Sequence, residues 1–102
     1  MKIRLTFNAL DDLDLLLMNE AERSGWTRSM DVEAQLWHHF EELSRTPALG
    51  HLRQDITQAV VHFSYSDPYM IVYRQEEFAI TIVAVIHGAR DLTAILKNRT
   101  EE

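Results

Sequence analysis

The sequence lacks cysteine altogether and has no long apolar run. The absence of cysteine excludes a disulfide framework, a thiolate metal site and a cysteine nucleophile, and it fits a protein of the reducing cytosol. The longest aliphatic run, residues 82–86, is far shorter than the roughly 20 residues that span a bilayer. Lys2 and Arg4 give a positive start, but aspartates follow where a signal peptide would be apolar. We therefore expect a cytoplasmic protein with no membrane partner.

Basic charge is also scarce, and it is unevenly placed. The chain has a net charge of −6, and residues 8–46 hold nine acidic and three basic side chains. An acidic chain is a poor default nucleic-acid binder, because neutralised phosphates supply most non-specific affinity. The basic residues of the second half are Arg53, Arg74, Arg90, Lys97 and Arg99. At 102 residues we expect a single domain, residues 1–102, with one modest core.

The first half of the chain predicts a strand followed by a helical hairpin. Residues 2–7 alternate apolar and polar side chains, which predicts a short half-buried strand that includes Phe7. Asn8 is the predicted N-cap of a helix that ends at Ser24 and Gly25. A second helix is predicted over residues 29–44. Its apolar stripe consists of Val32, Leu36, Phe40 and Leu43, joined by Trp37.

The second half predicts three strands and a short helix. Residues 47–50 stop the second helix with proline and glycine, and residues 51–59 form a mostly polar connection. Strands are predicted over residues 60–65, 69–73 and 78–87, and the short turns between them require antiparallel neighbours. A short helix follows Gly88, with Asp91 as its cap.

The predicted fold class is therefore α+β, with the order β-α-α-β-β-β-α. The helical hairpin packs on a mainly antiparallel four-stranded sheet. The last two strands are apolar on both faces, whereas the short terminal helix can cover only part of the second face. A partly uncovered apolar face predicts a partner that completes it. The alternative is that the terminal helix and the loops cover it.

Three segments of the second half carry a resemblance to a known family. They are residues 47–55 (Pro-Ala-Leu-Gly-His-Leu-Arg-Gln-Asp), residues 69–74 (Tyr-Met-Ile-Val-Tyr-Arg) and residues 87–91 (His-Gly-Ala-Arg-Asp). In combination they resemble the RelE/ParE toxin superfamily, and its ParE-like branch best. That family has the same order of helices and strands.

The resemblance implies the toxin of a bacterial type II toxin–antitoxin system. Such a toxin is neutralised by a cognate antitoxin whose C-terminal segment wraps it, and it meets operator DNA only indirectly, through that antitoxin. ParE-like members poison DNA gyrase, whereas RelE-like members cleave mRNA in the ribosome. A third hypothesis is a non-toxic module that only binds an antitoxin. None of these functions requires a cofactor, a metal or a small-molecule substrate.

The same segments supply the candidate site residues. Cleavage of RNA needs groups that move protons and stabilise charge around one phosphate. The candidates for that chemistry are Arg53, Arg74, His87 and Arg90. Candidates for contact with the target or the antitoxin are the same four residues with Tyr73 and Asp91. The ParE-like function is favoured, because basic clusters are few and residues 98–102 lack the tyrosine or histidine that such nucleases often place there.

Each candidate also has a purely structural interpretation. We expect His87 to bond to the cap residue Asp91, and Gly88 to supply a backbone angle that only glycine adopts cheaply. Surface ion pairs are expected for Arg53 with Asp55 and for Arg74 with Glu76 or Glu77. Trp26 and Trp37 are assigned to the hairpin core, and the alternative is that an exposed tryptophan anchors the antitoxin. No histidine spacing predicts a metal site, since His38 and His39 point about 100° apart on a helix.

Overall fold

The structure is a computed structural model, and it describes residues 1–57, 60–97 and 99. Within them, five strands and three α-helices follow one another along the chain. They are β1 (Lys2–Leu5), α1 (Phe7–Ser24), α2 (Trp26–Arg45), β2 (His51–Leu52), β3 (His62–Ser66), β4 (Tyr69–Gln75), β5 (Ala79–His87) and α3 (Leu92–Leu96). A 3-10 turn, Pro47–Leu49, separates α2 from β2.

The strands form one mixed sheet in the order β1-β5-β4-β3-β2. β1 runs parallel to β5, and the other neighbouring pairs are antiparallel. The α+β class, the hairpin and the mainly antiparallel sheet are confirmed, but the sheet has five strands instead of four. The extra strand is β2, inside the predicted polar connection. Its two residues pair with β3 while both side chains stay exposed, so no apolar alternation marks it.

The start of α1 differs from the prediction. Thr6 is the N-cap, and its hydroxyl accepts a hydrogen bond from the backbone N–H of Ala9 at 3.1 Å. The predicted cap, Asn8, lies inside the helix. Phe7 is the first helical residue and is 86% exposed, so its assignment to the buried face of the strand is wrong. A hydroxyl cap two residues earlier ends the strand before Phe7 can join it.

The two helices are joined through Gly25, whose φ of 89° lies in the region that glycine alone adopts at low cost. α2 begins directly afterwards at Trp26, three residues before the predicted start. Trp26 is 74% exposed, so it does not belong to the hairpin core, whereas Trp37 is partly buried and packs on that core. The hydroxyl of Ser29 donates to the carbonyl of Leu17 at 2.7 Å and ties the helices together.

The hairpin covers one face of the sheet. The predicted stripe of α2 is buried, as are the side chains of β4 and β5 that face it. This cluster includes Leu13, Val32, Leu36, Phe40, Leu43, Ile71, Tyr73, Ile80 and Ile82. Burying a large aliphatic or aromatic side chain contributes roughly 1.5–3 kcal/mol each, so this layer supplies much of the stability of the fold.

The second face of the sheet is covered as well, contrary to the predicted uncovered apolar face. Leu96 of α3 is completely buried on it, and Val61, just before β3, is 1% exposed. The buried residues are Val61, Phe63, Val72, Val83, Ala84, Ile86 and Leu96, with Ile56, Met70, Leu92 and Ile95 packed against them. The alternative in which the terminal helix and the loops suffice is therefore the one that the structure shows.

None of the helices in the described part of the chain combines the length and apolarity that a bilayer crossing requires.

Candidate functional site

The candidate site lies where β5 runs on past the end of β1. The β1–β5 pairing stops at Leu5 and Ile82, and the N–H of Thr6 donates to the carbonyl of Ile82 at 3.0 Å. β5 continues for five residues beyond that point to His87. Among the residues that the structure describes, no strand therefore pairs with this stretch of its edge, and α1 lies beside it instead.

A bulge changes which backbone groups of β5 face α1. Val72 pairs with Ala84 and Tyr73 pairs with Ile82, so Val83 is an extra residue in β5. An extra residue shifts the alternation of backbone groups along a strand. Beyond the bulge, the N–H of Val85 points toward α1.

Asp12 of α1 satisfies that N–H. Its carboxylate accepts from the N–H of Val85 at 3.1 Å and also binds the guanidinium of Arg99. Both side chains are mostly buried, at 15% exposed for Asp12 and 21% for Arg99. One carboxylate thus links α1, β5 and the chain beyond α3, and its charge is balanced by Arg99.

Beside Asp12, an open cleft of about 160 Å³ separates α1 from the end of β5. Its apolar surface comes from Leu15 and Leu16 of α1 and from Val85 and Ile86 of β5. Leu15 is 57% exposed, so a large apolar side chain is presented at the opening.

Arginines surround a buried carboxylate at one end of the cleft. Glu20 is 8% exposed, and its carboxylate lies 2.6 Å from Arg23 and 3.7 Å from Arg28. The hydrogen bond to Glu20, followed by its charge, raises the pKa of Arg23. The hydroxyl of Tyr69 donates to Glu20 at 3.5 Å, and burial, followed by the charge of Glu20, raises the pKa of Tyr69. Arg23 itself is 68% exposed and faces the cleft.

His87 and Arg90 also line the cleft. The Nδ1 atom of His87 accepts from the N–H of Ala89 at 3.1 Å, so the neutral ring carries its proton on Nε2. The expected bond from His87 to the cap is thus replaced by one to Ala89, and the ring stands edge-on to Tyr69 at 5.9 Å. Asp91 is the N-cap of α3, as predicted. Arg90 is exposed and forms no ion pair within the described residues.

The other two arginine candidates lie elsewhere. Arg74 is opposite Thr81 in the sheet, about 16 Å along β4 from Tyr69. Its Nε atom is 4.0 Å from Glu76, the expected ion pair.

Arg53 binds the carboxylate of Asp55 through two hydrogen bonds of 2.9 and 2.8 Å. This exposed pair matches the expected one, and the hydrogen bond to Arg53 is the main cause that lowers the pKa of Asp55. The four nuclease candidates are therefore not brought together around one point.

Tyr73 is completely buried and has a structural role. Its hydroxyl donates to the carbonyl of Pro47 at 2.6 Å and accepts from the N–H of Gly50 at 2.8 Å. Burial raises its pKa. The ring also stacks on His62, with centroids 5.4 Å apart. Tyr73 fixes the 3-10 turn against the sheet and is not accessible to a partner.

Gly88 has no special backbone angle, contrary to the prediction. Gly25 is the one glycine with positive φ. A Cβ atom on Gly88 would lie 3.0 Å from the Tyr65 ring and 3.4 Å from the carbonyl oxygen of Pro68. The N–H of Gly88 donates to that same carbonyl at 2.8 Å, so the end of β5 is held against the β3–β4 turn.

The sequence interpretation placed His87 and Arg90 in the site but missed the whole contribution of α1. Asp12, Leu15 and Arg23 come from a segment more than 60 residues away. One feature of the sequence was informative: the run of residues 15–18 is apolar over more than one helix face, which exceeds what a core stripe requires. Within the described residues, no group of three or more His, Asp and Glu side chains is arranged to hold a metal ion.

The fold and the cleft define a class of small α+β protein with an open, partly apolar cleft that Arg23 and Arg90 also line. Residues 3–92 match the family model described as the ParE toxin of the type II toxin–antitoxin system, parDE. Because the match spans most of the chain, this protein belongs to the ParE toxin family.

A solved structure shares the fold. It is a chain of the chromosomal ParDE TA system from P. aeruginosa, with a TM-score of 0.73 and 17% sequence identity. The alignment covers 85% of this chain and 95% of that one. No curated protein matches the sequence.

Proposed function

We propose that this protein is a toxin that a cognate antitoxin neutralises, and that it acts on DNA gyrase in the cytoplasm once it is released. The observation that carries the proposal is membership of the ParE toxin family over residues 3–92. The open cleft between α1 and β5 supports it, because a protein that acts by binding another protein needs an accessible surface with an apolar centre.

The positions of the basic residues favour inhibition by binding over RNA cleavage. A nuclease must place a base, an acid and a charge-stabilising group around one phosphate. Here His87 and Arg90 line the cleft, whereas Arg74 is near the far end of β4 and Arg53 is engaged by Asp55. Action through a protein surface requires no such convergence.

The acidic character of the chain supports an indirect relation to operator DNA. A net charge of −6 opposes phosphate binding, so we assign DNA contact in the complex to the antitoxin.

The proposal is tested by inducing this chain alone in bacteria and then assaying gyrase and messenger RNA in parallel. We expect growth arrest, covalent gyrase–DNA cleavage complexes and intact message. Co-expression with the cognate antitoxin is expected to restore growth. A misfolded variant, such as Gly50→Trp, is the control for the burden of expression.

Other outcomes would point to other functions. Arrest with cut message and unaffected gyrase would indicate the RelE-like activity. Normal growth under strong expression of folded protein would indicate a module that only binds its antitoxin.

A further inference from the structure

The end of the sheet where β1 begins carries exposed cations on the face opposite the helical hairpin. Ile3 and Leu5 of β1 pack against the core under the hairpin. Successive side chains of a strand point to opposite faces, so Lys2 and Arg4 lie on the other face. Both are exposed, and neither forms an ion pair within the described residues. Two such cations therefore stand about 6.6 Å apart along one strand.

The neighbouring strands extend this row of charge across the sheet. Arg4 is opposite Thr81 of β5, and Thr81 is opposite Arg74 of β4. Because paired residues share a face and strands lie about 4.8 Å apart, the Cα atoms of the two arginines are about 10 Å apart with Thr81 between them. Thr81 is 6% exposed and donates to Glu76, which also lies 4.0 Å from Arg74. That carboxylate is therefore engaged by groups of the sheet itself.

Lys2, Arg4 and Arg74 form a set that we name the basic row. With Glu76 included, this part of the surface has a net charge of +2, and Glu77 of the adjoining turn reduces it to +1. The complete chain carries −6. The basic row is therefore a local cationic surface on an acidic protein.

The composition of the basic row favours phosphate over a protein segment as its partner. A protein–protein interface usually has an apolar core. The row and its neighbour Thr81 are polar, and the exposed ring of Phe78 belongs to the adjoining turn. Contact with phosphate requires only cations and hydrogen-bond donors, which the row supplies.

We propose that the basic row contacts the phosphate backbone of the DNA that gyrase holds when the toxin acts on it. The inference rests on the proposed function, which supplies the gyrase–DNA complex. A net charge of −6 opposes binding of free DNA, and two or three cations are too few to reverse that effect. The contact therefore depends on gyrase, which holds the DNA beside the toxin. It is separate from operator binding, which we assign to the antitoxin.

The first test is site-specific crosslinking with the full-length toxin. The chain has no cysteine, so Lys2→Cys provides a single attachment point for a photoactivatable benzophenone. The labelled toxin is irradiated with purified gyrase and radiolabelled DNA. The control is Arg45→Cys, because Arg45 is exposed in the last turn of α2, on the hairpin side of the sheet. We expect crosslinks to DNA from position 2, only when gyrase is present, and none to DNA from position 45.

The second test removes single charges and measures gyrase-dependent linearisation of DNA. Lys2→Gln and Arg4→Gln should each raise the toxin concentration for half-maximal linearisation about fivefold, since an exposed charge contact contributes up to roughly that factor. Arg4→Lys keeps the charge, and Arg45→Gln removes one elsewhere, so both should stay within about twofold. The slope of log activity against log NaCl should also fall by about one for each lost phosphate contact. Thermal melts establish that each variant is folded.

The outcomes separate this inference from the proposed function. Crosslinks from position 2 to gyrase protein alone would overturn the inference and indicate an acidic protein segment as the partner. An absence of crosslinks, or equal activity of Arg4→Gln and the wild type, would overturn it as well. In each case the wild type still produces cleavage complexes, so the proposed function stands. A wild-type toxin that produces none would refute the proposed function itself.

Discussion

Gly50 is the position where the smallest substitution should have the largest effect. A Cβ atom on Gly50 would lie 2.5 Å from the hydroxyl oxygen of Tyr73 and 2.8 and 2.9 Å from two of its ring carbons. Tyr73 is fully buried, so it cannot move aside without disturbing the sheet. Gly50→Ala therefore forces apart the turn and the strand that the hydroxyl joins.

The expected cost has two parts. Overpacking a rigid core costs about 1–3 kcal/mol. The displaced hydroxyl also loses its bonds to Pro47 and to the N–H of residue 50, at about 1 kcal/mol each. A total of about 3–5 kcal/mol is a large share of the 5–15 kcal/mol typical of a domain. It should lower the melting temperature by about 12–40 °C.

The assay is thermal and urea unfolding of Gly50→Ala, Tyr73→Phe and the double variant. Tyr73→Phe removes the same two hydrogen bonds, so the double variant should lose less stability than the two single losses combined. Gly25→Ala is the contrasting control, because nothing lies within 4 Å of its Cβ and only the positive φ opposes it. Melting of Gly50→Ala within about 3 °C of the wild type, or strictly additive losses, would refute the reasoning.

Three further predictions test the cap, the cleft and the pH response. Thr6→Ala should lower the free energy of unfolding in urea by about 1 kcal/mol, because the N-cap of α1 is lost. Thr6→Ser should keep most of the wild-type stability, because its hydroxyl can still cap the helix. Asp12→Ala should cost about 2 kcal/mol by the same measurement, because it leaves the N–H of Val85 and the guanidinium of Arg99 without their acceptor; a loss below about 0.5 kcal/mol would contradict this role. Burial lowers the pKa of His39 below 6.5, so the unfolded chain binds more protons than the folded one. The contribution of His39 to stability is therefore present above pH 6.5 and is lost as the pH falls through the folded-state pKa. His39→Gln should flatten that part of a stability profile measured from pH 7 to 5.

Helical periodicity was sufficient to predict the hairpin and the last helix, and apolar runs between turn residues were sufficient to predict the three central strands. The stripe of α2 repeats at helical spacing, and the apolar run of β5 is bounded by clear turns, so their local preferences agree with the fold. β2 could not be predicted in this way, because its two exposed residues form no periodic pattern. The prediction of an uncovered apolar face was wrong for another reason. A sequence does not show where a polar loop packs, and Ile56 and Val61 pack on that face of the sheet.

The cleft could be predicted only in half. His87 and Arg90 belong to a motif that follows a strand, so their place at the end of β5 was expected. The opposite wall comes from α1, which reaches β5 through the parallel β1–β5 pairing and the extra residue Val83. A crossover and a bulge are tertiary features, and neither leaves a periodic pattern in the sequence.

The residues that carry the family resemblance divide into two groups once their contacts are known. Gly50 and Tyr73 are explained by the close contact and the hydrogen bonds between the 3-10 turn and β4, and Gly88 lies close to Tyr65 and to the carbonyl of Pro68. His87 and Arg90 point outward into the cleft. Most of these shared residues therefore have a role in packing one segment of the fold against another. Leu15 and Arg23 of α1 also line the cleft but lie outside the three segments that carry the resemblance. Because we propose that this open cleft binds a protein partner, we expect substitutions of the exposed Leu15 to change affinity for that partner with little change in stability.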